Sequence, residues 1–274
     1  MDSVNQTLYI PLYGKAAVSK QGILLRDPMA EKIWEQAGFP LRRKSRSRWL
    51  AYNMGMRAAV FDRWLSGQME CRPEAAVVHI GCGLDSRVCR VGTGGHPWYD
   101  LDFPEVLAER RKYYRESGNY HMLAGDARKP EWMDSIPAGN GVIAVMEGVS
   151  MYLNREELLG LLAALTKRFG AVSLLMDCYT VFAARASKYK NPVNEVGVTR
   201  LWGVDDPREL EQGTGLAFLR EHDLTPPDLI TQLGGFERRF FRLMFAGSAA
   251  KNIYRLYEFG TPAFPACAGG AGVL

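Results

Sequence analysis

The 274-residue chain has little from which to build a metal site or a disulfide scaffold: five cysteines, no two of them in a C-x-x-C pair, and four scattered histidines. No metal is expected, and reduced thiols in a cytoplasmic protein are the default reading. No apolar run approaches the length needed to span a bilayer, so no membrane partner is expected. Met1-Asp2-Ser3 lacks a basic n-region and no apolar h-region follows, so no secretory leader is expected either. Charge of one sign is also scarce: a net +4 implies neither nucleic acid nor an acidic membrane surface. The strongest basic run, Arg42 to Arg48, has no aromatic stacking platform beside it and reads as a solvated loop between helices.

The most informative stretch runs from Ala76 to Phe103. An apolar, β-branched run ends in Gly81-Cys82-Gly83, and a second short strand ends at Asp102. Strand, glycine turn, helix start and second strand open a nucleotide-binding α/β unit. Glycine suits positions 81 and 83 because a ligand must approach the backbone there. Asp102 stands about 20 residues on, where a carboxylate can accept hydrogen bonds from ribose hydroxyls. The bland alternative is a tight turn with no ligand. A pyrophosphate binder would carry a third glycine where Ser86 stands, and Asp85 puts a negative charge beside the turn. Both features favour cationic S-adenosylmethionine over a dinucleotide.

Around this unit the chain divides into a helical cap and cofactor lid (1–72), an α/β core (73–265) and a flexible tail (266–274). The first twenty residues show no period and read as an arm. Asp27-Pro28 starts a helix that Gly38 ends, and a second helix covers Trp49 to Gln68. Further strands fall at 120–125, 141–146, 171–177, 216–224 and 252–259, and Phe103 to Ser117 is read as a connecting helix. Asn154 and Glu157 cap the helix Arg155–Phe169, whose leucines 158, 161, 162 and 165 share one face. A polar segment, 179–212, is read as an insertion over the site, and Thr225-Pro226-Pro227 as the cap of a helix running towards Phe245. The expected fold is α/β: a mostly parallel seven-stranded Rossmann-like sheet with helices on both faces.

Four blocks in order (Ile80 to Arg87 with Arg90, Tyr99 to Pro104, Gly125-Asp126, and Met146 to Leu153) resemble the leucine carboxyl methyltransferase and polyketide-biosynthesis O-methyltransferase family of class I S-adenosylmethionine-dependent methyltransferases. The resemblance implies cofactor contacts from Gly81, Gly83, Asp102, Asp126 and Glu147, with Arg57 on the methionine carboxylate and Lys15 near it. Ala127 stands where the family commonly has leucine, which implies a looser adenine pocket. By its own pattern Arg57 reads equally as a surface residue of an amphipathic helix, and Glu147 as an ordinary strand-end acid.

The activity implied is O-methylation of a small-molecule acceptor, yielding S-adenosylhomocysteine. No histidine stands at an obvious strand end on the site side; His79 and His121 read as strand residues. This favours a carboxylate acceptor, which needs no general base. Tyr152 is the acceptor-side candidate, with a core aromatic as its alternative reading; Tyr179, Arg200 and Trp202 are weaker pocket candidates. The rival readings are methyl-esterification of a protein C-terminus and a non-catalytic cofactor-binding partner.

Overall fold

The computed structural model describes residues 8–38, 46–190 and 201–267. Three helices lead: α1 (Tyr9–Lys20), α2 (Pro28–Ala37) and α3 (Arg48–Cys71). The expected arm is therefore a helix from Tyr9 onward. It lacks an apolar stripe because it is buried nearly all round, Leu12, Gly14, Lys15, Ala16 and Val18 included, with α2 and α3 packed against it. The α2 start is as expected: the Asp27 side chain accepts from the Ala30 N–H at 2.9 Å, Pro28 is in the first turn, and Gly38 closes the helix at φ 58°. Of the basic run, residues 42–45 lie outside the described residues.

The core follows as β1 (Ala76–Ile80), α4 (Arg87–Val91), β2 (Trp98–Asp102), α5 (Pro104–Arg110), β3 (Tyr120–Ala124), β4 (Val142–Met146), α6 (Arg155–Phe169), β5 (Val172–Tyr179), α7 (Val181–Lys190), β6 (Ala217–His222), α8 (Pro227–Thr231), α9 (Gly235–Met244), α10 (Ser248–Lys251) and β7 (Tyr254–Gly260). The seven strands form one sheet in the order β3-β2-β1-β4-β5-β7-β6. The first five are parallel, and β7 inserts antiparallel between β5 and β6. Two expectations are corrected. The helix from Phe103 ends at Arg110, and Ser117 bridges back to Tyr120. The helix expected to run from Thr225 towards Phe245 is two helices, separated at 232–234, where Gly234, a poor helix former, stands as the N-cap of α9.

Because β1, β4 and β5 are covered on both faces, successive residues serve different layers. Val77, Val145 and Leu175 pack with the α1–α3 side; Val78, Ala144 and Leu174 pack with the α6 side, where Leu158, Leu161, Leu162 and Leu165 are all buried. The Asn154–Glu157 capping box forms at the start of α6. Beyond β1 the chain turns one way to β2 and β3, then returns to the other side with β4. The resulting crevice at the carboxyl ends of β1 and β4 is where open α/β sheets bind ligands. No helix among the described residues is long and apolar enough to cross a membrane.

Candidate active site

A cavity of about 480 Å³ opens at that crevice, floored by the glycine turn and the end of β4 and roofed by α1 and α3. Of the candidates raised by the sequence, Lys15, Arg57, Gly81, Gly83, Glu147, Tyr152 and Tyr179 line it. Gly81 and Gly83 have φ of 69° and 52°, a region unfavourable for residues with a Cβ. A Cβ on Gly81 would also overlap the Val149 side chain, so glycine is demanded by the neighbouring loop as well as by any ligand.

Arg57 is 4% exposed, which removes its surface reading. Its Nε donates to Glu147 Oε1 at 3.1 Å and its Nη1 to Asp177 Oδ2 at 2.8 Å. Glu147 also accepts from Arg87 Nη2. Burial works against charge on Glu147, but Lys15, Arg57 and Arg87 outweigh it and hold the carboxyl at about 2. At Asp177 burial wins over Arg57 and the Gly148 N–H, and its carboxyl is raised.

Lys15 Nζ lies 2.8 Å from Asp85 Oδ2, and Arg90 Nη1 donates to Asp85 Oδ1 at 2.8 Å. Burial opposes the Asp85 charge, yet Arg90, Lys15 and Arg87 keep its carboxyl well below the usual range. The charge beside the turn is thus paired with protein cations. Arg90 also reaches Asp62 and Asp27, each at 2.6 Å, so the network ties α1, α2 and α3 to α4, the turn and the ends of β4 and β5.

Asp102, Asp126 and Ala127 lie outside the cavity lining. Asp102 Oδ2 accepts the Gly83 N–H at 2.7 Å and Oδ1 the Phe103 N–H at 2.8 Å, and burial raises its carboxyl to about 6. Asp126 is held by Arg128, whose Nε and Nη2 lie 2.8 and 2.6 Å from its two oxygens and keep it ionised below its ordinary value. Ala127 packs against the α6-side core.

On the acceptor side, Tyr152 is 41% exposed at the cavity mouth, which removes its core reading. Tyr179 is buried edge-on to Tyr254, ring centroids 4.4 Å apart. Trp202 is half-exposed and does not line the cavity, and Arg200 lies outside the described residues. His79 lines the cavity but is 1% exposed. Arg87 Nη1 lies 3.0 Å from its Nε2 and can only donate, so the ring's lone pair is engaged. Burial lowers its pKa and the ring is neutral.

Sequence reasoning missed Asp177, visible only as the acid near the end of β5. It also missed the apolar wall of Trp49, Leu50, Met244, Phe245 and Ile253, which comes from three distant segments and carries no local signal.

Residues 11–166, more than half of the chain, match the leucine carboxyl methyltransferase family. The chain is 28% identical over 224 residues (80% of this chain, 82% of the relative) to the tetracenomycin polyketide synthesis O-methyltransferase TcmP of Streptomyces glaucescens. It is 26% identical over 242 residues (77% and 78%) to the S-adenosyl-L-methionine-dependent methyltransferase dpfgK of Gibberella zeae. In shape it is similar to magnesium protoporphyrin IX methyltransferase (ChlM) from Synechocystis PCC 6803, solved with bound SAH. The TM-score is 0.51 and the identity 12%, covering 84% of this chain and 93% of that one, a likeness of fold. The sheet is thus a Rossmann-like class I methyltransferase sheet, and the chain belongs to the leucine carboxyl methyltransferase family.

Proposed function

We propose that the protein transfers a methyl group from S-adenosylmethionine to a carboxylate oxygen of a small-molecule acceptor of secondary metabolism. The observation that carries this reading is a cavity at the sheet's switch point whose lining combines two cations, Lys15 and Arg57, with apolar side chains such as Trp49, Leu50 and Phe245. The donor set fits the cofactor. Arg57 and Lys15 suit a methionine carboxylate, the open backbone at Gly81 and Gly83 suits close approach, and Asp102 suits a ribose diol. When bound, the cofactor supplies an electrophilic methyl group on a sulfonium.

The chain's own residues then align and desolvate the acceptor. Among the described cavity-lining residues, Glu147 and Asp85 are locked in ion pairs and the His79 lone pair is held by Arg87. None is poised to take a proton, which an alcohol or phenol acceptor would usually require. A carboxylate requires none. Tyr152, at the mouth, can donate one hydrogen bond to it, because a phenol with an ordinary pKa of about 10 keeps its proton at pH 7. The O-methyltransferase description of TcmP agrees with this chemistry.

The test is incubation with labelled cofactor and panels of aromatic acids, phenols and peptide carboxylates, followed by mild alkali. A methyl ester releases methanol and an ether does not; an alkali-stable product would exclude carboxyl transfer. Tyr152→Phe should reduce turnover roughly ten- to a hundredfold with cofactor affinity unchanged, since one hydrogen bond to a charged partner is worth about 1.5–3 kcal/mol.

A further inference from the structure

The glycine turn between β1 and α4 is held through its backbone groups by two neighbouring elements. Its N–H groups are held from β2: Gly81 and Cys82 donate to the Leu101 carbonyl at 2.8 and 3.1 Å, and Gly83 donates to Asp102. Its carbonyls are held from α5 and the turn that follows. Arg110 Nη1 donates to Gly83 O at 3.0 Å and to Asp85 O at 2.7 Å, while the Tyr114 hydroxyl donates to Leu84 O at 3.1 Å. Three successive carbonyls are thus drawn to one side.

Arg110 is itself fully buried and aimed. Its Nη2 pairs with Asp100, its Nε donates to the Tyr120 hydroxyl at 3.1 Å, and its guanidinium lies 3.9 Å from the Tyr114 ring centroid. Asp100 is fixed in turn by Trp98 Nε1 at 2.8 Å and the Tyr120 hydroxyl at 2.7 Å. Asp100 and Asp102 stand two residues apart on β2 and so share a face. The Gly83 residue is gripped at both ends, its N–H by Asp102 and its C=O by the arginine that Asp100 orients.

We infer that Arg110, which lies outside the cavity, is a positioning residue that holds the glycine turn and Asp102 in register for the cofactor. The inference rests on the function proposed above. A lysine would keep the charge opposite Asp100, but a single ammonium cannot serve Asp100, Tyr120 and two carbonyls from one point. A purely structural ion pair would affect stability alone, and the two roles separate in binding.

The experiment measures S-adenosylhomocysteine affinity by calorimetry, together with melting temperature and kcat at saturation, for wild type, Arg110→Lys, Tyr114→Phe and Glu258→Gln. The last variant weakens another buried charge, paired with Arg220 and His222 at the far edge of the sheet. Arg110→Lys should weaken binding tenfold or more and Tyr114→Phe about threefold, with kcat at saturation within twofold of wild type. Glu258→Gln should lower the melting temperature with unchanged affinity. Wild-type affinity in folded Arg110→Lys would overturn the inference, as would an equal loss in Glu258→Gln. If Arg110→Lys does not fold, Tyr114→Phe decides: weakened binding supports the inference and wild-type affinity overturns it. Wild type that fails to bind S-adenosylhomocysteine would instead overturn the proposed function, and with it this inference.

Discussion

Asp102 combines two backbone hydrogen bonds with a carboxyl raised to about 6 by burial. Its folded pKa lies above the unfolded one. The native state therefore holds an extra proton between roughly pH 4 and 6, and the stability this contributes is lost as the pH rises through 6. Ribose binding wants the opposite form, the anion that accepts two hydroxyl hydrogen bonds. Cofactor affinity should accordingly fall as the pH drops below 6, approaching tenfold per unit, and Asp102→Asn should bind weakly without that slope. Calorimetry from pH 5 to 8 checks this, and a flat wild-type profile would remove Asp102 from the ribose. Arg57→Lys is a second residue-scale case. Lysine cannot hold Glu147 and Asp177 together, and breaking a buried pair costs about 3–5 kcal/mol, so both the melting temperature and the cofactor affinity should drop. The positions of Asp102 at the end of β2 and of Glu147 just after β4 were legible because each acid closes an apolar run. The partner that fixes Arg57, Asp177, was not, because pairing between the middle of α3 and the end of β5 is set by tertiary packing.

At the scale of elements, legibility followed burial geometry. Helix α6 is apolar on one face and capped by its own residues, so its bounds could be read directly from Asn154 to Phe169. Helix α1 is buried on several faces and even hides a lysine, so no period betrays it. Its close approach to α3 depends on glycine: a Cβ at Gly14 would stand 2.7 Å from Met54 Cβ and 3.4 Å from Ala51 Cα, neither of which can rotate away. Gly14→Ala gains about 1 kcal/mol of helix propensity but incurs overpacking of about 1–3 kcal/mol, so a net loss is expected. It should also lower cofactor affinity, because moving α1 draws Lys15 from Asp85. Gly160→Ala on the exposed face of α6, with nothing within 4 Å of the added Cβ, should stabilise by about 0.5–1 kcal/mol and leave affinity alone. Chemical denaturation paired with calorimetry separates the two; equal effects would mean that the α1–α3 crossing does not govern the site.

For the whole molecule, the cavity lies where the leading helices meet the sheet, and its charged lining comes from both. Lys15 and Arg57 belong to α1 and α3, while Asp85 and Glu147 belong to the turn and to the loop after β4. A ligand whose carboxylate lies on the two cations and whose ribose lies on Asp102 would bridge the helices to the sheet, adding contacts that the unfolded chain cannot make. At a hundred times its dissociation constant such a ligand stabilises by about 2.7 kcal/mol, which for a chain of this size raises the melting temperature by very roughly 5–10 °C. The gain should not be uniform. Helix α1 is short and reaches the sheet side of the site through Lys15 and Asp85, so its local opening should be the step most suppressed by binding. Hydrogen exchange with saturating S-adenosylhomocysteine should therefore slow most in residues 9–20 and in the turn at 81–87, and little along β6 at the far edge. Slowing confined to the turn, with α1 exchanging as in the free protein, would mean that the leading helices only cover the site and that Lys15 does not hold the cofactor.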